Sequence, residues 1–350
     1  MEEITSLRMP AEWAPHERTW MAWPSSGYTL GDTPEEAEVA RATWAAVARA
    51  IVAFEPVTMV VDPGAAADAA RHLDPAVDVL HAPLDDAWMR DIGPTFVLDE
   101  RGALQAVDWV FNGWGAQAWA SWSHDARIAR TVAEQVGAPV ISSPMVNEGG
   151  GIHVDGEGTV LVTKTVQLDE HRNPGWDEAA VEAELARTLG AERVIWLPRG
   201  LTRDYDEFGT RGHVDIVATF ASPGTVLVHR QDDPGHPDYE VTREIAELLR
   251  GESDARGRRL EVVEVPAPHV THDESGPVDY SYINHAVVNG GVVLCGFGEP
   301  EADTRAAEIV GAAYGRAVEI VDARPLFARG GGIHCITQQQ PAAARAGAER

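Results

Sequence analysis

Apolar residues recur at helical spacing in five stretches of this chain, 35–54, 125–137, 177–189, 239–250 and 300–314. In the first stretch Val39, Ala42, Ala46, Ala50 and Phe54 form the predicted stripe, and Pro34 stands where a helix would open. Short β-branched runs alternate with these stretches, at 57–61, 95–98, 160–163, 194–197, 226–228, 260–265 and 291–294. The alternation predicts an α/β fold built from a unit repeated about five times. Gly, Pro and Asp mark the joints without forming a long linker, so residues 1–350 are expected to make one domain. The Ala/Arg-rich tail after Pro341 is expected to fray at its end.

Repetition also appears in the polar joints. Gly149-Gly150-Gly151-Ile152-His153 returns as Gly330-Gly331-Gly332-Ile333-His334, and Gly212-His213-Val214-Asp215 and Arg90-Asp91-Ile92-Gly93 fall at similar switches. A pseudo-symmetric, propeller-like ring would bring these elements to one central face.

Composition narrows the chemistry. Two cysteines are too few for a disulfide framework or a cysteine zinc site. A net charge of −27 repels phosphate and disfavours nucleic acid, while it attracts small cations. No apolar run approaches the about 20 residues that span a bilayer. The first five residues lack the parts of a secretory signal. A cytoplasmic protein with no membrane partner is therefore expected. Lys164 is the sole lysine and sits in an apolar, strand-like run, which argues against Schiff-base chemistry.

Cys335 follows three glycines, which suggests a tight loop that exposes its sulfur, whereas Cys295 lies in an apolar strand and reads as core. His213 and Asp215 occupy alternate positions, and on a strand they would share one face. His153-Val154-Asp155 repeats the spacing. Such pairs also bind metals, but the thirteen histidines are otherwise scattered. The acidic run through Asp85, Asp86 and Asp91, with Trp88, reads either as a solvated turn or as a cation site with a cation–π face. Glu148 adds a carboxylate beside glycines. Carboxylates near a cysteine raise its pKa above the usual value of about 8.5, which disfavours the thiolate. A planar cation would satisfy the acids through paired N–H···O bonds and favour the thiolate on binding.

At this point the motifs resemble the agmatine deiminase and bacterial peptidylarginine deiminase family of guanidine-modifying enzymes. The resemblance runs from Met9-Pro10-Ala11-Glu12-Trp13-Ala14-Pro15-His16 through Trp88-Met89-Arg90-Asp91, Phe111-Asn112-Gly113-Trp114-Gly115, Asn147-Glu148-Gly149-Gly150, Gly212-His213-Val214-Asp215 and Tyr282-Ile283-Asn284 to Ile333-His334-Cys335-Ile336-Thr337. It implies a five-bladed, pseudo-fivefold α/β propeller, the pentein fold. It implies Cys335 as nucleophile, His213 as general acid/base, Asp91 and Asp215 as grips on the guanidinium, and Glu148 as support for substrate and histidine. Trp88 and Asn284 would line the pocket. No metal or organic cofactor is implied, and a homo-oligomer is expected. The implied reaction takes agmatine to N-carbamoylputrescine and ammonia through a thiouronium on Cys335. Gly332 and Gly151 stand where many agmatine deiminases carry Asn and Ser. Three other readings stand beside this one: a deiminase of arginine, peptidyl-arginine or another guanidino compound, an amidinotransferase, and a non-catalytic cation binder.

Overall fold

The computed structural model describes residues 6–344, so the first five residues and positions 345–350 of the tail lie outside it. Five of its sheets share one pattern: an antiparallel pair, then a parallel neighbour. One runs Thr95–Leu98, Leu104–Val110, Val140–Val146. The next is Ile152–Val154, Thr159–Thr163, Arg193–Leu197. Ala218–Ser222, Thr225–Arg230 and Glu261–Pro266 follow, then Ala286–Val288, Gly291–Gly296 and Ala317–Asp322. The remaining sheet joins the two ends of the chain. Thr337–Pro341 pairs antiparallel with His16–Ala22, which runs parallel to Val57–Val61, itself parallel to Asp78–His81.

Parallel neighbours need a crossover, and a helix supplies it each time. Five crossover helices, one per sheet, are Pro34–Val52, Ile128–Val136, Glu178–Leu189, Asp238–Gly251 and Pro300–Tyr314, and the short helix Ala66–His72 also links Val57–Val61 to Asp78–His81. Local chemistry fixes their ends. Thr33 and Glu36 make a reciprocal capping box before the first helix, and Asp177 caps the third. Gly137, Gly190 and Gly315 end three of them in the left-handed conformation.

Burial runs across each sheet. Ile152–Val154, Ala286–Val288 and Thr337–Pro341 are wholly buried, whereas the far strand Ala317–Asp322 has no buried residue. The site segments named above occupy equivalent places: each directly precedes the first, buried strand of a sheet. Trp88 and Asp91 come before Thr95–Leu98, Glu148 before Ile152–Val154, and His213 and Asp215 before Ala218–Ser222. Asn284 precedes Ala286–Val288, and Cys335 precedes Thr337–Pro341.

Three local expectations need correction. The first helix buries Ala40, Trp44, Val47, Ala48 and Ile51, while Val39 on the predicted stripe is 50% exposed. Alanine surrounds this helix, so the bulky Trp44 and Ile51 decide which face packs. His213 and Asp215 do not alternate on a strand, because Val214–Ile216 is a short 3-10 turn. Lys164 opens the helical turn Lys164–Gln167 and pairs with Glu178 at 2.7 Å.

The corrected face predicts unequal costs on one helix. Ile51→Ala should destabilise by about 2–5 kcal/mol, whereas Val39→Ala should stay within about 0.5 kcal/mol of the parent. Urea unfolding followed by circular dichroism reads both. Equal losses would contradict the assigned face.

Candidate active site

The pieces meet because glycines let backbone come close. A Cβ on Gly150 would run into His213 Nδ1 and lie 3.0 Å from Asp215 Oδ2. A Cβ on Gly331 would lie 2.7 Å from the Trp88 ring and 3.0 Å from Cys335 Sγ. A Cβ on Gly332 would sit 2.5 Å from Asn284 Oδ1. The duplicated glycine triplets thus pack against His213 and Asp215 in one copy and against Trp88, Cys335 and Asn284 in the other.

Cys335, His213, Asp91, Asp215, Glu148, Trp88 and Asn284 are all buried here. Cys335 Sγ lies 3.6 Å from Asp215 Oδ2 and 3.2 Å from Asn284 Nδ2. His213 Nε2 faces Glu148 Oε2 at 3.2 Å, and its Nδ1 points toward Asp91 Oδ1 at 3.9 Å. Asp91 accepts from the Gly150 N–H at 3.1 Å and from the Trp114 indole at 2.8 Å. His213 Nδ1 and Asp215 Oδ1 are buried without a hydrogen-bond partner. Such atoms are costly unless something else satisfies them.

Sequence reasoning missed the groups that hold these residues in place. Glu148 receives the Nε of Arg172 at 3.0 Å on both oxygens, and Arg172 also reaches Asp169 and the Thr210 carbonyl. Asp215 Oδ2 pairs with His334 Nδ1 at 2.7 Å, while His334 Nε2 meets Glu12 Oε1 at 2.8 Å. Arg90 donates to the same Glu12 oxygen at 3.2 Å. The two histidines of the repeated pentapeptide face each other here, with ring centres 6.2 Å apart. Glu12, His153 and His334 have metal-like spacing. Their atoms already have partners, however: His153 Nε2 meets Thr219 at 2.6 Å and Arg90 supplies the positive charge. Trp114 adopts φ 57°, a left-handed conformation unusual for a bulky residue, and is anchored by its bond to Asp91. Glu12, Arg90 and Trp114 stood within recognisable motifs, but nothing local named their partners. The acidic run divides. Asp85, Asp86 and Asp125 fold into reciprocal backbone caps, neither a solvated turn nor a cation site, and only Asp91 enters this centre.

Electrostatics follows from burial and these pairings. Burial raises Asp91 to about 6, with Glu148 and Asp215 adding to the rise against the opposing His213. Burial would lower His213, but Asp91 and Glu148 raise it to about 9. Burial would also raise Asp215, yet the bond and charge of His334 hold it below its usual value. The Cys335 thiol is pushed well above its usual value by burial and then by Asp215 and Asp91.

Comparison with known proteins gives the family. The chain belongs to the Porphyromonas-type peptidyl-arginine deiminase family, which it matches over residues 8–341. A Streptomyces coelicolor protein provisionally named an agmatine deiminase is 64% identical over 337 residues, covering 96% of this chain and 99% of its own. The agmatine deiminase of Pseudomonas aeruginosa is 39% identical over 366 residues, with 97% of each chain covered. The solved agmatine deiminase of Enterococcus faecalis superimposes with a TM-score of 0.89 at 33% identity, covering 96% of both chains. The α/β fold thus has its structural neighbours in the pentein superfamily. Among the described residues no helix is long and apolar enough to cross a membrane.

The buried Glu148–Arg172 pair generates a stability prediction. Arg172→Met should cost about 3–5 kcal/mol, because it strands a buried carboxylate. Adding Glu148→Gln should recover part of that loss in thermal unfolding. A single variant as stable as the parent would show that the pair holds nothing together.

Proposed function

We propose that this chain is an agmatine deiminase that hydrolyses agmatine to N-carbamoylputrescine and ammonia, with Cys335 as nucleophile and His213 as acid/base. One observation carries the reading: Asp215 holds one oxygen 3.6 Å from the Cys335 sulfur and leaves the other unpaired, and an unpaired His213 nitrogen is buried where Gly150 packs against both His213 and Asp215. A guanidinium between Asp91 and Asp215 would satisfy those acids with in-plane N–H donors. The named relatives support the same activity. The five sheets of one pattern, each with a site segment before its buried strand, support a five-bladed propeller made from a single catalytic domain.

The steps follow from the charges. Without substrate the sulfur keeps its proton. Arrival of the cation offsets the two carboxylates and expels that proton to solvent. The thiolate then attacks the guanidinium carbon, and a C–S bond forms. Protonated His213 gives its proton to one nitrogen, the C–N bond breaks, and ammonia leaves to take up the proton released earlier. The thiouronium remains on Cys335. Neutral His213 next takes a proton from water, and the hydroxide adds to the same carbon. Collapse breaks the C–S bond, and the product's excess proton returns to sulfur. Glu148, fixed by Arg172, orients His213 throughout. Orientation and prearranged charge supply the acceleration.

Substrate choice rests on the space outside Gly330. A cavity of about 350 Å³ is lined there by Asp204, Asp206, Glu207 and Asp279, with Arg203 tied to Asp273 at 2.8 Å. This lining suits a distal ammonium better than the α-carboxylate of arginine.

Cys335→Ala should abolish ammonia release while agmatine binding remains measurable by calorimetry. Wild-type turnover of agmatine should exceed that of arginine by about a hundredfold, given one charge attracted rather than repelled. Faster turnover of arginine would sink the substrate assignment. New guanidines formed from added amines, without matching ammonia, would identify a transferase instead.

The pH profile gives a separate check. Asp91 must lose its proton to bind the cation, so kcat/KM should rise as pH passes about 6. His213 must carry a proton to release ammonia, so above about pH 9 its loss should cancel the rise that ionising Cys335 brings, and kcat/KM should level off. A rate that keeps climbing beyond pH 10 would remove His213 from the acid role.

A further inference from the structure

The sulfur of Cys335 faces two acids, Asp215 and Asp91, and its donors are the Gly332 backbone N–H and the Asn284 side chain. Asn284 is fully buried, directly before the strand Ala286–Val288. Its Oδ1 accepts the His334 N–H at 3.0 Å and, more weakly, the Cys335 N–H at 3.4 Å. Those two donors fix the orientation of the amide, because the reversed form would set NH2 against N–H. The NH2 group therefore points the other way. One N–H reaches the Asp215 carbonyl at 3.3 Å and the second reaches Cys335 Sγ at 3.2 Å. While protonated, the sulfur also has two acceptors, Asp215 Oδ2 at 3.6 Å and Asn284 Oδ1 at 3.4 Å. Once the proton is gone, only donors remain favourable, and the Asn284 N–H is already aimed.

Gly332 makes this arrangement possible. A side chain there would begin 2.5 Å from Asn284 Oδ1 and 2.8 Å from the Phe327 ring, so the amide occupies space that any larger residue would claim. The backbone of Gly332 is not left-handed, so the reason for glycine here is room, not backbone conformation.

We propose that Asn284 is a catalytic residue that donates its side-chain N–H to the Cys335 sulfur and stabilises the thiolate, in a position made available by Gly332. This goes beyond a pocket-lining role and rests on the reading of Cys335 as nucleophile. A charge-assisted N–H···S⁻ contact in a dry site favours the anion over the thiol.

The test reads the thiolate rather than turnover. Neutral iodoacetamide alkylates thiolates, and peptide mass spectrometry separates Cys335 from Cys295. In Asn284→Leu, which fills similar space without a donor, Cys335 should alkylate about tenfold more slowly at pH 8, equivalent to one pKa unit. In Gly332→Ala, whose methyl group displaces the amide, the rate should fall similarly. Folding of each variant is checked by circular dichroism. A Cys335 rate within twofold of wild type in folded Asn284→Leu overturns the proposal. Should that variant not fold, the same result in Gly332→Ala overturns it. A wild-type enzyme that releases no ammonia from any guanidine would instead refute the functional reading, and the alkylation rates do not depend on that outcome.

Discussion

Four carboxylates buried in one centre, two of them acting directly on a thiol, set the terms for this molecule. Glu12, Asp91, Glu148 and Asp215 are all taken out of water, which is unfavourable unless each is paired. The chain supplies Arg90 and His334 toward Glu12 and Asp215, and Arg172 and His213 toward Glu148 and Asp91. With both histidines protonated, these four carboxylates meet four cations, of which Arg172 is shared with Asp169, provided Cys335 remains a neutral thiol. A thiolate adds a fifth negative charge. The centre therefore favours ionised sulfur only when one more cation arrives, and the substrate guanidinium is such a cation. Reactivity and recognition become one electrostatic event.

That balance depends on backbone that can approach closely. The five segments come from five sheets, and each must bring its chain into the same small volume. Gly150 lies against the His213 ring, Gly331 between Trp88 and the sulfur, and Gly332 against the Asn284 amide. Side chains at these points would push apart groups whose value lies in distances near 3 Å. The sheet joining both ends of the chain adds a further constraint. Cys335 is placed by Thr337–Pro341, and that strand is held by His16–Ala22, 16 to 22 residues into the chain. Glu12 enters the same centre from just before that strand.

The sequence made the fold legible where packing is apolar and local. The crossover helix Pro300–Tyr314 and the strands Val57–Val61 and Thr95–Leu98 have the boundaries that periodicity predicts. It concealed the innermost strand Thr337–Pro341, whose Thr-Gln-Gln-Gln-Pro reads as a polar loop. Its glutamines are buried because partners await them: Gln338 donates to the Pro94 carbonyl, Gln339 to Glu12, and Gln340 accepts from the Trp20 indole. In the site, residue types and glycine spacing pointed to Cys335, His213, Asp91 and Asp215. Arg172 and the Glu12–His334 link stayed hidden, since their contacts span 24 and 322 positions and no periodicity reports such distances.

The two cysteines show why geometry decides where titration does not. Both thiols are free and buried. Burial pushes Cys295 up to about 12, and Cys335 is also far above its usual value, so neither is an activated thiol at rest. Their surroundings differ in what can be reversed. Cys295 sits in the strand Gly291–Gly296, with its sulfur donating to the Asn284 carbonyl at 2.9 Å. Desolvation by packed neighbours is the main cause, with smaller contributions from Asp215 and Asp303, and no bound cation can undo that packing. For Cys335 burial is again the largest cause, but Asp215 and Asp91 add to it, and a guanidinium between them would cancel their fields. The part of a rise that charge imposes can be lifted by charge, whereas the part that packing imposes cannot. On the proposed reading the nucleophile is the cysteine that lies beside the acids assigned to the substrate.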